Sequence, residues 1–128
     1  MFHSTVNSPY SVEDTVNKLS EAFQDKQFGV LWDFDAKAKL DEKEVGLDNK
    51  FRILEVCNPK IAKQVLTETM IAGYFLPCKV VVYEEDAQTK IGMPRPTVLM
   101  EHVDNEKVQK VAQDVENTME AAMNEAVK

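Results

Sequence analysis

The sequence predicts an α+β domain, on three observations. Val108, Val111, Ala112, Val115, Met119, Ala122, Met123 and Ala126 hold an apolar stripe at helical spacing for about five turns. A second stripe, Val12, Val16, Leu19 and Phe23, marks a helix from Val12 to about Lys26. Between these helices lie short segments with strand signatures, alternating or rich in β-branched residues. A long helix with one apolar face must lie on something, and a sheet is the surface that these segments offer.

Phe2 to Asn7 alternates, with Phe2, Ser4 and Val6 on one side, and reads as the first strand. Asn7-Ser8-Pro9 is a turn signal, and Ser11-Val12-Glu13-Asp14 resembles a capping box that opens the first helix. From Phe28 to Phe34 the residues Phe28, Val30, Trp32 and Phe34 share one face, which predicts a strand with one strongly buried side. Ala36 to Lys50 is charged and poorly periodic and reads as a loop with one helical turn.

Phe51 to Cys57 is a strand, and Asn58-Pro59 supplies a cap and a proline at the first helical position. Ile61, Ala62, Val65 and Leu66 then form a short extra helix, and Met70 to Pro77 is an apolar connector. Cys78 to Glu85 is apolar on both faces near its middle, which predicts a central strand. Asp86-Ala87-Gln88 turns the chain back into a strand from Thr89 to Met93. Pro94 and Pro96 make that strand an edge or bend it, and Thr97 to Glu101 resumes it. Asp104 opens the last helix.

At 128 residues, with 44% hydrophobic and 29% charged residues, residues 1–128 are expected to form a single domain. Lys plus Arg number 15 and Asp plus Glu 22, a net charge of −7. Phosphate binding needs clustered cations, so nucleic acid is not an expected partner, and neither is an anionic membrane. No apolar run approaches the roughly 20 residues that span a bilayer. Met-Phe-His-Ser-Thr-Val lacks the basic start and apolar stretch of a secretory signal, so the expected location is cytoplasmic. The two cysteines are then reduced thiols.

Those thiols are the first candidates for chemistry. Cys57 stands just before the cap Asn58, where the positive end of a helix dipole lowers a thiol's pKa. Cys78 is followed by Lys79, a second source of positive potential. If their strands are antiparallel neighbours, the cysteines share one end of the sheet, and a thiol pair or soft-metal site becomes geometrically possible. The alternative is that both fill strand ends as small apolar residues. The connector of about twenty residues also permits a parallel crossover, which would separate them.

A zinc site is not favoured, because the spacing matches no short ligand motif. His102 lies in a polar stretch, and His3 lies on the polar side of its strand. Glu55, inside a strand, reads either as a general base if buried or as a residue that pairs with Arg52 or a neighbouring-strand lysine or faces water. Tyr83, Glu84 and Glu85 allow the same two readings. Arg95, held between Pro94 and Pro96, reads as a plain surface arginine or as a rigid cation for an anion or a partner carboxylate. The Met and Val stripe of the last helix packs a core or lines a ligand cavity. There is no Gly-rich phosphate loop, nucleophile elbow or acidic metal loop, so an enzyme is not the favoured class.

The chain resembles the family known as domain of unknown function 302. The resemblance runs over nearly the whole chain. It rests on Ser11-Val12-Glu13, Gln27-Phe28-Gly29-Val30, Ile53-Leu54-Glu55-Val56-Cys57-Asn58-Pro59 and Leu76-Pro77-Cys78-Lys79-Val80-Val81-Val82-Tyr83-Glu84. The turn after Tyr83 departs from it by lacking a glycine. The resemblance implies a β-α-β(4)-α fold of the TATA-binding-protein-like or helix-grip kind, with a long C-terminal helix across an antiparallel sheet. It also implies a homodimer, and the apolar Met70 to Leu76 connector agrees, since exposed patches of that kind mark interfaces. It carries no catalytic residue and no cofactor.

The expected function is therefore a non-catalytic, homodimeric domain that binds a small molecule or a protein. Its site would lie near Cys57, Asn58, Cys78 and Lys79, with Glu55 and Arg95 as further candidates. The alternative is thiol-dependent redox or soft-metal handling by Cys57 and Cys78.

Overall fold

The computed structural model describes residues 1–128. Five strands and five α-helices follow one another as β1 (His3–Ser8), α1 (Val12–Asp25), β2 (Gly29–Asp35), α2 (Ala36–Glu42), β3 (Phe51–Cys57), α3 (Pro59–Glu68), β4 (Cys78–Glu85), β5 (Gln88–Pro94), α4 (Pro96–Met100) and α5 (Glu106–Ala126). A 3-10 helix, Met70–Phe75, joins α3 to β4. The strands form one antiparallel sheet in the order β1-β5-β4-β3-β2. The expected fold class is the one observed, with β4 in the middle of the sheet and α5 crossing one face.

Local chemistry starts and stops these elements as the sequence suggests. Ser11 Oγ accepts from the Asp14 amide at 3.1 Å, and Asn58 Oδ1 accepts from the Lys60 and Ile61 amides. The β4–β5 turn is made by Asp86 and Ala87, both with positive φ (52° and 63°). Ala87 thus adopts, without glycine, a conformation that L side chains resist.

Helices α1 and α5 cover one sheet face. A cluster of 17 buried apolar residues fills that layer, including Leu19 and Phe23 of α1, Leu54 of β3, Val82 of β4 and Met119 and Met123 of α5. A second cluster of six (Val65, Ala72, Met100, Val103, Val108 and Ala112) lies among α3, the 3-10 helix, α4 and the start of α5. The stripe residue Val111 is half-buried and touches both clusters. No helix is long and apolar enough to cross a membrane.

Several expectations need correction. Ala36–Glu42 is a helix and not a loop. Asp35 caps it through Ala38, and Lys37 pairs with Asp41 one turn on. It buries no residue, so it left no apolar period to read.

The buried face read from Phe28 to Phe34 is broken. A bulge at Leu31 shifts the register, so that Val30 faces Val56 while Trp32 faces Glu55. Trp32 and Phe34 therefore stack at 5.0 Å on the uncovered side of the sheet, where Trp32 is 49% exposed. Strand β5 is interior, between β1 and β4, and Pro94 merely ends it opposite His3. The segment after Pro96 is a short helix, because proline at its first position favours a helix start over a resumed strand. Asn105, not Asp104, caps α5, with Oδ1 accepting from the Val108 amide at 3.1 Å.

Candidate functional site

The antiparallel pairing of β3 with β4 brings one end of the sheet into focus. Cys78 stands opposite Val56, one residue from Cys57, and Lys79 stands opposite Glu55. Helix α3 leaves from this end and the 3-10 helix returns to it, so the connection is an elaborated hairpin and not a crossover. Side chains alternate along β3, so Cys78 shares the pleat position of buried Val56, while Cys57 begins on the other. The thiols are neighbours, but the pleat does not aim them at each other.

Two cavities open here. The inner one, about 40 Å³, is almost wholly apolar, and both cysteines line it. Its walls draw on Phe28 and Val56 from the large cluster and on Val65 and Ala112 from the small one, so it lies on the seam between them. The outer cavity, about 320 Å³, is lined by Glu55 and Lys79 together with Tyr74, Phe75, Leu99 and Met119 among others. Leu76, Cys78, Pro96 and Met100 border both cavities.

The electrostatics oppose a reactive thiol. Burial raises the Cys57 thiol above its ordinary value, and burial with the neighbouring Cys57 pushes Cys78 up to about 11. At the start of α3 the amides of Lys60 and Ile61 are taken by Asn58 Oδ1 and not by Cys57. Both thiols are free, and no group of three His, Cys, Asp or Glu gathers anywhere in the fold. His3 bonds to Thr5 (Nδ1 to Oγ1, 2.9 Å), and His102 is exposed before α5.

Glu55 and Lys79 oppose each other across two strands, yet neither joins an ion pair, although eight others form in the structure. Arg52, one candidate partner for Glu55, is taken by Asp33 at 2.8 Å. Tyr83, Glu84 and Glu85 lie at the far end of β4. There Tyr83 stacks on Phe51 and Glu85 pairs with Lys90.

Arg95 is drawn away from the cysteines. It donates to Glu116 Oε2 from Nε (3.2 Å) and Nη2 (3.0 Å). Glu116 Oε1 accepts from the Thr97 amide (3.0 Å) and Thr97 Oγ1 (2.6 Å). This carboxylate of α5, 1% exposed, thereby caps α4, whose own cap residue supplies no side-chain bond. Burial would raise its pKa, but the bonds from Thr97 and Arg95 outweigh burial and hold it below the ordinary value. The clasp was missed in the sequence, where the signal was a glutamate on the buried stripe, four residues after Ala112 and three before Met119.

The sequence profile of the family described as domain of unknown function DUF302 matches residues 4–126. The chain belongs to the DUF302 family. A solved crystal structure of an uncharacterized conserved DUF302 protein from Bacillus stearothermophilus is 42% identical to it. That match covers 98% of each chain with a TM-score of 0.95. No curated protein matches the chain. The DUF302 fold thus agrees with the resemblance read from the Ile53–Pro59 and Leu76–Glu84 segments.

Proposed function

We propose that this DUF302 domain is a non-catalytic, cytoplasmic, homodimeric binding protein for a small molecule held in the outer cavity. One observation carries the reading. Glu55 and Lys79, opposite in charge and free of other ion pairs, border a cavity whose remaining wall is largely apolar. A volume of about 320 Å³ lies at the small end of metabolite sites, which run from roughly 300 to 1,000 Å³. The ligand that complements such walls is a compact zwitterion with an apolar side group. Its cationic group faces Glu55, its anionic group faces Lys79, and its apolar part lies on Leu76, Leu99 and Met100. The net charge of −7 supports a partner other than nucleic acid. The raised thiols support lining roles for Cys57 and Cys78 over the redox or soft-metal alternative.

Isothermal titration calorimetry with leucine, 4-methylpentanoate and 3-methylbutylamine tests the pairing of charges. Leucine should bind, and each analogue lacking one charged group should bind at least about tenfold more weakly, the cost of one charge-assisted contact. Glu55→Gln and Lys79→Met should each weaken leucine by a similar factor. Equal binding of all three probes, or no binding of any, would refute the zwitterion site.

A further inference from the structure

The two edges of the sheet are built differently. Edge strand β2 carries the bulge at Leu31 and the carboxylates of Asp33 and Asp35. These are the devices by which natural sheets stop their edges from pairing. Edge strand β1 carries none of them. Its sequence, His3-Ser4-Thr5-Val6-Asn7-Ser8, has no proline, and it pairs with β5 over all six residues without a register shift. It is also the one strand of the five without Asp, Glu, Lys or Arg. Phe2, just ahead of it, leaves 65% of its surface exposed.

We infer that β1 is the edge by which a second copy of this chain adds, antiparallel and about a two-fold axis, continuing the sheet from one protomer into the other. The inference rests on the homodimer proposed above and names its interface. Charge selects the second copy as occupant. A chain at −7 repels its own copy wherever carboxylates meet. At β1 the copies approach with no formal charge on either strand. A two-fold contact presents the same strand twice, so it must tolerate itself. Small hydroxyl and amide side chains do so, and Thr–Thr and Thr–Ser cross-strand pairs are favourable. Two copies of β2 would instead bring Asp33 and Asp35 toward their equivalents and meet at a bulge.

Sedimentation equilibrium of the full chain is the test, with Thr5→Lys and Asn7→Lys on β1 and Leu31→Lys on β2. Thr5 and Asn7 are exposed, as is Leu31, so each lysine has room in the folded protomer, and Lys90 opposite Asn7 is already paired with Glu85. The wild type should run at twice 14.5 kDa. Each β1 lysine puts two like charges, one from each copy, into the shared strand pair and should raise the dimer dissociation constant by about tenfold or more. Leu31→Lys should leave it unchanged. Dimers that survive both β1 lysines, or that dissolve with Leu31→Lys, would overturn β1 as the interface while leaving the homodimer standing. A wild-type monomer at micromolar concentration would overturn the homodimer itself.

Discussion

The two hydrophobic clusters of this small domain are built from different kinds of segment. The larger, with 17 residues, is made by α1, α5 and the sheet, elements long enough to repeat an apolar period several times. The smaller, with six, is assembled from segments that each supply one or two residues: Val65 from α3, Ala72 from the 3-10 helix and Met100 from α4. Helix α5 gives buried residues to both, Val108 and Ala112 to the small cluster and Val115 onward to the large one, and Ile61 of α3 packs against both. Long periodic elements close-pack. Where short insertions meet them the fit is looser, and both cavities open near that seam. The difference separates the part of the chain that holds the fold from the part that shapes the candidate site.

Three substitutions test whether the two clusters differ in this way. The largest effect should come from Leu54→Ala, at a fully buried position in the large cluster. Loss of its side chain and the cavity left behind should cost about 3–4 kcal/mol in urea unfolding. A cost below about 1.5 kcal/mol, the range of a volume-conserving swap, would mean that this cluster relaxes as readily as the other.

Next is the clasp between α4 and α5. Glu116→Gln removes the charge from four hydrogen bonds and should cost about 2 kcal/mol, in the range for bonds to charged groups. The sign of its pH dependence follows from the depressed pKa. The carboxylate's contribution is complete above its ordinary value of 4.5 and is lost as pH falls through the lower folded value. Acid should therefore narrow the stability gap between wild type and Glu116→Gln, as measured by melting from pH 7 to pH 3. A gap that widens in acid would reverse the assignment.

The smallest effect should come from Val65→Ala in the small cluster, at about 1.6 kcal/mol, two methyl groups' worth of transfer energy. Amide exchange in α3 should quicken while β3 and β4 keep their protection, because the accessory layer opens before the sheet does. Equal loss of protection in both regions would show that the clusters unfold as one.

Most of the frame was legible because burial writes a period into the chain. The stripes of α1 and α5, the cap-and-proline start of α3 and the central position of β4 could all be read from residue order. Glu55, Cys57, Asn58, Cys78 and Lys79 could likewise be assigned to one end of the sheet once β3 and β4 were taken as antiparallel. Other features carried weaker signals or none. Helix α2 buries nothing, so its two turns have no apolar period. The Leu31 bulge moves Trp32 and Phe34 to the uncovered face, and a single inserted residue inverts an alternation that looks perfect in one dimension.

Residue order alone carries the α+β class, the order of the principal elements and the family, since each depends on local pattern or on motif spacing. Packing in three dimensions settles which charges find partners. Arg95 lies beside Glu116 because α4 folds back on α5, 21 residues apart in the chain. Glu55 and Lys79 border an open cavity because the 3-10 helix and α4 stand over their end of the sheet without closing it. Such meetings depend on how inserted segments pack across long sequence separations, and no residue's immediate neighbours record that.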